Sequence, residues 1–106
     1  MDTPLMEKRY QQFYKIKNKY GLHIRPSTAL SKVSRNYKSE IQITYQGHTI
    51  NPKSIIELLT LGVGGGEQIL VTATGEDCKE AVEGIGQLIA DRFGLSEEMT
   101  EDEEKH

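Results

Sequence analysis

The sequence predicts an α+β fold in which a four-stranded antiparallel sheet is covered on one face by three helices, an open-faced two-layer sandwich. Two observations lead to it. The 106 residues are enough for one ordinary domain, and 36% hydrophobic with 27% charged residues suit a small core under a polar surface. The apolar residues also change period along the chain, in the order β-α-β-β-α-β-α. Strands with one apolar face, and helices to cover it, pack as two layers.

The first half of the chain carries the signals of a strand, a helix and a hairpin. Side chains alternate over residues 10–17, as on a half-buried strand. Helical spacing follows over residues 24–36, with Pro26 in the first turn, where a missing N–H is tolerated. Residues 41–45 alternate again, and a turn returns the chain through residues 49–51 as a short hairpin.

The second half predicts a short helix, a strand and a longer helix. The short helix covers residues 54–60, and Gly62 follows in the position that favours a left-handed helix end. Residues 67–74 alternate as a strand. Residues 77–93 carry one apolar stripe, which indicates an amphipathic helix; its members are Ala81, Val82, Ile85, Leu88, Ile89 and Phe93.

Charged residues are distributed unevenly along the chain, although the formal net charge is only −3. Residues 1–53 carry ten Lys or Arg and three Asp or Glu, whereas residues 54–106 carry three bases and 13 acids. Six of those acids lie within residues 97–104. We therefore expect a flexible extension over residues 1–8, a mildly basic domain over residues 9–95 and an acidic, disordered tail over residues 96–106.

Several classes of protein are not expected. No apolar run approaches the roughly 20 residues of a membrane span, and the first residues do not resemble a secretory signal, so a cytoplasmic location is expected. The lone Cys78 has no partner for an internal disulfide, and the spacing of Cys and His predicts no metal site. No cofactor is expected, and the small basic charge argues against nucleic acid as a partner.

The segment around His23 is the strongest candidate for chemistry. His23 lies where a strand gives way to a helix, whose first N–H groups and positive dipole end attract phosphate-like anions. Arg25 follows two residues later and could hold phosphoryl oxygens while the imidazole accepts the group. From these residues alone, His23 as a simple helix cap is the commoner arrangement, and reversible anion binding by His23 and Arg25 is a further alternative.

A family resemblance favours the chemical interpretation. Residues 21–26, Gly-Leu-His-Ile-Arg-Pro, closely resemble the G-L-H-x-R-P signature of HPr, the histidine-containing phosphocarrier family of the bacterial phosphoenolpyruvate-dependent sugar phosphotransferase system. Residues 51–56, Asn-Pro-Lys-Ser-Ile-Ile, are similar to the family's N-x-K-S-I segment. The resemblance extends over roughly residues 10–93, and the predicted order of strands and helices is also that of the family.

The resemblance implies a phosphocarrier, an intermediate in phosphoryl transfer rather than a stand-alone catalyst. His23 would accept a phosphoryl group on Nδ1 from phosphorylated enzyme I and pass it to enzyme IIA components of sugar transporters. Arg25 would stabilise the charge of that group. The protein is expected to be a monomer and to need no metal.

Ser54 is the second candidate site. Taken alone, a serine that opens a helix is a cap worth about 1 kcal/mol. The resemblance implies phosphorylation of Ser54 by an HPr kinase/phosphorylase, with the product acting on a catabolite-control transcription factor. An alternative function is therefore a regulatory binding module, switched by phosphoserine, with little or no transport role. The presence of His23 argues against that alternative, because such a module needs only Ser54 and a docking surface.

The helix after Ser54 is too short to bury all of its apolar residues. The resemblance implies that Ile55 and Leu59 belong to an apolar patch for partner proteins, and Lys32 and Lys53, with Arg25, would favour acidic partners. Three residues depart from the family pattern where alanine is frequent: Ile24, Ser27 and Pro52. The first two add bulk and a hydroxyl group beside the proposed acceptor, and Pro52 could stiffen the approach to Ser54.

Overall fold

Four antiparallel strands and three helices make up residues 8–95, the part of the chain that the computed structural model describes. The order is β1 (Arg9–Lys15), α1 (Ile24–Ser34), β2 (Glu40–Tyr45), β3 (His48–Ile50), α2 (Ile55–Leu61), β4 (Gln68–Thr74) and α3 (Cys78–Ala90), followed by a 3-10 turn (Arg92–Gly94). The predicted order and fold class are confirmed. The predicted acidic tail, and all of the predicted N-terminal extension except Lys8, lie outside the described residues.

The sheet has the strand order β1-β4-β2-β3, so β4 pairs with β1 on one side and with β2 on the other. Alternate residues of β4 and β2 point toward the helices. In the register of these two strands Ile41 lies opposite Ala73 and Ile43 lies opposite Val71, and all four side chains are buried. These cross-strand pairs form the part of the core that the sheet contributes.

The three helices cover one face of the sheet. Leu30 of α1, Leu58 of α2 and Ile85 of α3 are all fully buried in one core cluster. On α3, Gly86 allows the helix to approach the sheet closely, because a Cβ there would lie 2.3 Å from the hydroxyl of Tyr14. That hydroxyl donates a hydrogen bond to the carbonyl of Val82, at 3.0 Å. Gly86 therefore leaves space for a hydrogen bond that connects β1 to α3.

The last helix ends earlier than the apolar stripe predicts. α3 ends at Ala90, and the chain then turns through Arg92 and Phe93, whose φ angles are +54° and +59°. This left-handed turn is uncommon for residues other than glycine. It carries the side chain of Phe93 back into the core, where it is buried. Among residues 8–95, no helix is long and apolar enough to span a membrane.

Candidate functional site

His23 is the last extended residue before α1, with φ −79° and ψ −169°. It occupies the cap position, yet its side chain makes no capping hydrogen bond; its backbone carbonyl accepts the first helical bond, from the N–H of Ser27 at 3.0 Å. The imidazole is partly buried, and the ring of Tyr20 meets it edge-on at 6.3 Å between centroids. The ring is therefore held beside the start of the helix without serving as its cap.

Gly21 fixes the path of the chain into His23. Its φ of +70° belongs to the left-handed region, and a Cβ there would lie 2.1 Å from the carbonyl oxygen of Val63. The same oxygen accepts a hydrogen bond from the N–H of Leu22 at 2.9 Å. Only glycine fits this close approach, and the loop that follows α2 thereby supports the backbone of the site.

Asn18 anchors the loop that leads from β1 to His23. Its side chain is buried, and Nδ2 donates to the carbonyl of Arg92 at 3.2 Å, in the turn that follows α3. The N–H of Gly21 donates in turn to the carbonyl of Asn18, at 3.1 Å. The loop before His23 is thus fastened to the end of the last helix.

The first turn of α1 is built to receive an anion. It contains no acidic residue, and Arg25 lies exposed at its second position. Pro26 follows at the third position, where its missing N–H leaves no helical bond unmade. A helix start of this kind presents N–H groups and a positive dipole end to negative charge. An imidazole, a guanidinium group and a helix N-terminus in one turn can together accept and stabilise a phosphoryl group.

Ser54 caps α2, as the cap interpretation predicts. Its Oγ accepts a hydrogen bond from the N–H of Glu57 at 3.3 Å. The carboxylate of Glu57 accepts in turn from the N–H of Asn51 at 2.9 Å. Together these bonds satisfy two N–H groups around the start of the helix. The arrangement differs from a capping box, because Glu57 accepts from Asn51 and not from the cap residue Ser54. The hydroxyl that phosphorylation would modify is therefore already engaged in holding this helix start.

Lys53 lies in an unexpected environment. Its ammonium group donates to the carbonyls of Tyr37 and Ser39, at 2.8 and 3.0 Å, and the side chain is partly buried. Its own carbonyl accepts a hydrogen bond from the buried hydroxyl of Ser31 on α1 at 3.0 Å. Lys53 therefore connects the residues that precede α2 both to α1 and to the segment that follows α1. Lys32, in contrast, is exposed on α1.

The apolar residues that reach the surface differ partly from the predicted pair. Leu59 is 42% exposed, but Ile55 is partly buried, whereas Ile56 is 76% exposed. Ile24, beside His23, is also 61% exposed. Sequence reasoning missed Ile56, although its spacing of three residues from Leu59 places the two on one face of a helix. That spacing was the available signal.

Residues 8–95 contain no group of three or more His, Cys, Asp or Glu side chains placed to hold a metal ion. The candidate site consists of His23 at the cap of α1 and Arg25 in its first turn, with Ser54 at the cap of α2, which packs against α1.

Comparison with known proteins agrees with this architecture. The family model for the PTS HPr component phosphorylation site matches residues 10–91. The phosphocarrier protein HPr of Buchnera aphidicola subsp. Schizaphis graminum is 37% identical over 82 residues, which cover 77% of this chain and 96% of the relative. The multiphosphoryl transfer protein of Haemophilus influenzae is 32% identical over 97 residues, which cover 89% of this chain and 19% of that larger protein.

Solved structures give the same result. HPr-C-His from Thermoanaerobacter tengcongensis superposes with a TM-score of 0.79 at 32% identity, covering 82% of this chain and 98% of that one. Crh, the catabolite repression protein of Bacillus subtilis, gives a TM-score of 0.63 at 29% identity, covering 78% and 95%. The fold, with its histidine at the start of the first helix, is that of a phosphocarrier of the phosphotransferase system. The chain belongs to the HPr family.

Proposed function

We propose that this chain accepts a phosphoryl group on Nδ1 of His23 from phosphorylated enzyme I and passes it to enzyme IIA components of sugar transporters. One observation carries the assignment: the imidazole lies at the start of α1 without capping it, two residues before Arg25, in a chain of the HPr family. Simple capping would use the side chain for the helix, and this side chain makes no capping bond.

The chemistry is an in-line exchange of one P–N bond for another. The lone pair of His23 Nδ1 forms a bond to phosphorus while the bond from phosphorus to the donor nitrogen of enzyme I breaks. In a second exchange, an acceptor nitrogen of enzyme IIA bonds to phosphorus while the bond from phosphorus to His23 Nδ1 breaks, and the imidazole regains its lone pair. The oxygens of the phosphoryl group carry the charge, which the start of α1 and the guanidinium group of Arg25 stabilise. The work of this chain is positioning and charge stabilisation, which are the main terms in phosphoryl transfer.

The proposal assigns docking to the exposed apolar side chains beside the site. Ile56 and Leu59 on α2 and Ile24 on α1 supply apolar area, while Lys32 supplies positive charge toward acidic partners. Ile55 contributes less, since it is partly buried. The protein acts as a monomer in the cytoplasm, where enzyme I and enzyme IIA meet it in turn.

A second proposed function is regulation through Ser54. Similarity to Crh, the catabolite repression HPr of Bacillus subtilis, favours it. Phosphorylation by an HPr kinase/phosphorylase would place nearly two negative charges at the start of α2, where the helix dipole tolerates them. The same charges would repel acidic partners and would present a new surface to a catabolite-control transcription factor.

Transfer of phosphate from phosphoenolpyruvate tests the first proposal. Incubation with phosphoenolpyruvate and enzyme I should give one acid-labile phosphoryl group per chain, and the label should vanish in His23→Ala. His48→Ala is the matched control, because His48 is exposed on β3 and should leave labelling unchanged. Full labelling of His23→Ala would contradict the assignment. Acid-stable labelling by ATP and the kinase, lost in Ser54→Ala, would support the second proposal.

A further inference from the structure

The start of α1 does not fix the orientation of the His23 imidazole. A side chain at the cap position of a helix normally accepts a hydrogen bond from the N–H of the second or third helical residue. The third residue of α1 is Pro26, which has no N–H. The imidazole makes no capping bond to the second residue, Arg25, either. Its orientation therefore depends on contacts outside the helix.

The ring of Tyr20 supplies such a contact. The two rings are nearly perpendicular, at 78°, and their centroids are 6.3 Å apart. Aromatic side chains prefer this edge-to-face arrangement at centroid distances of about 4.5–7 Å. His23 is partly buried, and Tyr20 is 41% exposed, so the pair lies at the protein surface. The contact restrains the imidazole at a place that a partner protein can approach.

The backbone holds Tyr20 in place. Residues 18–21 form a turn, in which the N–H of Gly21 donates to the carbonyl of Asn18 at 3.1 Å. Asn18 is buried and donates to the carbonyl of Arg92, and Gly21 packs closely against the loop that follows α2. Both ends of the turn are thus anchored in the fold. A ring attached to an anchored turn can restrain a neighbouring side chain.

Lys19 contacts the same ring. Its Nζ lies 5.5 Å from the ring centroid of Tyr20, which is within the range of a cation–π interaction. The ring therefore contacts a cation as well as the imidazole of His23. Both contacts restrict the orientations that the Tyr20 side chain can adopt.

We propose that Tyr20 is a positioning residue, whose ring selects the orientation in which His23 accepts the phosphoryl group. Tyr20 forms and breaks no covalent bond, and the exchange of P–N bonds at His23 is the one proposed above. An acceptor that is already held in the reacting orientation lowers the barrier of the transfer step. This consequence rests on the proposed function, whereas the ring contact does not.

Nuclear magnetic resonance of the unphosphorylated chain tests the contact. The Tyr20 ring current should shift the Cδ2 and Cε1 proton signals of His23, and the χ1 couplings of His23 should indicate one rotamer. At the same pH, Tyr20→Leu should move the signals toward those of histidine in a short peptide and should average the couplings. Tyr20→Phe should retain both features, because it keeps the ring.

Phe13→Leu is the matched control for this experiment. It removes an aromatic ring that is 57% exposed on β1, and it should leave the His23 signals and couplings unchanged. The amide signals of α1 should stay in place in all three variants, which shows that the helix is intact. Signals and couplings of His23 that are the same in Tyr20→Leu as in the unmodified protein would overturn the proposal.

Uptake kinetics test the consequence for transfer. With the chain as the substrate of phosphorylated enzyme I, Tyr20→Leu should lower kcat by about three- to tenfold, and KM should change by less than about twofold. Tyr20→Phe should restore kcat to within about twofold of the unmodified value. A higher KM with unchanged kcat would place Tyr20 in docking and refute the positioning role. Absence of uptake by the unmodified protein would instead refute the proposed function, and the positioning role with it.

Discussion

At the scale of single residues, Ser27 supplies a hydrogen bond, to a carbonyl just before α1, that Pro26 cannot donate. The carbonyl of Leu22 lies four residues before Pro26, which has no N–H to donate to it. The buried hydroxyl of Ser27 donates to that carbonyl instead, at 3.0 Å. The bond links the helix to the residue that precedes His23. Ser27 therefore acts as a positioning residue for the backbone of the site, although many members of the family have alanine there.

We predict that Ser27→Ala lowers the free energy of unfolding by about 1 kcal/mol, because a buried hydrogen bond is lost. Urea denaturation followed by circular dichroism measures it. Thr28→Ala is the matched control: its hydroxyl makes a similar bond, to the carbonyl of Ile24 at 2.8 Å, but is exposed, so the loss should be smaller. Equal losses in the two variants would contradict the buried role of Ser27.

A second residue, Asp77, links stability to pH. Its carboxylate accepts hydrogen bonds from the hydroxyl of Ser39 and from the N–H groups of Lys38 and Ser39. The Ser39 hydroxyl, followed by the N–H of Lys38, holds the pKa of Asp77 below its ordinary value. The ionised form is thus favoured in the folded state, and its stabilising effect is complete above the ordinary pKa and lost as pH falls through the folded pKa.

Asp77→Asn should therefore melt at a lower temperature than the unmodified protein at pH 7. The gap between the two melting temperatures should narrow progressively as the pH falls below about 4 and through the lowered pKa of folded Asp77, where the native carboxylate becomes protonated. Thermal melts between pH 2 and pH 7 measure the gap. Glu76→Gln, an exposed neighbour, should show little difference at any pH. A gap that stays constant down to pH 2 would show that the charge of Asp77 has no part in it.

At the scale of elements, hydrophobic period together with the turn after β2 was sufficient to predict all seven strands and helices in order, although β1 and the short β3 contain no fully buried residue. The element ends were less accessible to it. The stripe of α3 extends to Phe93, yet the helix stops at Ala90 because the chain makes a left-handed turn that no period reveals. Prediction of the candidate site had the same limit: sequence patterns were sufficient for some residues, and packing decided the others. The motifs predicted His23, Arg25 and Ser54 as site residues, and the structure places them at the starts of α1 and α2. The exposure of Ile56 rather than Ile55 depended on packing against neighbouring elements.

The start of α2 allows the structural role of Ser54 to be separated from its proposed regulatory role. Ser54→Ala should lose about 1 kcal/mol of unfolding free energy, because the N–H of Glu57 loses its acceptor. Ser54→Asp should retain most of that stability, since aspartate also caps helices, but should slow phosphoryl uptake from enzyme I by added negative charge. Denaturation and uptake kinetics on both variants test this. Slower uptake in Ser54→Ala, with unchanged uptake in Ser54→Asp, would contradict the charge argument.

At the scale of the whole molecule, charge is sorted by element. Residues 8–35, which contain β1, the loop before His23 and α1, carry no acid, whereas residues 97–104 carry six. The described domain thus presents its most positive segment on the elements that hold the candidate site, which favours acidic partners through long-range attraction. Attraction of this kind changes association rates more than it changes the bound complex.

Lys32 and Lys53 were both assigned to docking on the family resemblance, but their substitution should have different effects. Lys32 is exposed, whereas Lys53 is partly buried and donates hydrogen bonds to backbone carbonyls. Lys32→Met should slow phosphoryl uptake from enzyme I by about two- to fivefold at low salt, with unchanged stability, because its exposed charge acts only through attraction. Lys53→Met should instead lower the unfolding free energy by about 1–3 kcal/mol, since the carbonyls of Tyr37 and Ser39 lose a charged donor. Stopped-flow uptake at several salt concentrations, with denaturation of the same proteins, measures both. An unchanged free energy of unfolding in Lys53→Met would contradict the structural role of Lys53 and favour its assignment to docking. Uptake by Lys32→Met that is as fast as that of the unmodified protein at low salt would contradict the docking role of Lys32.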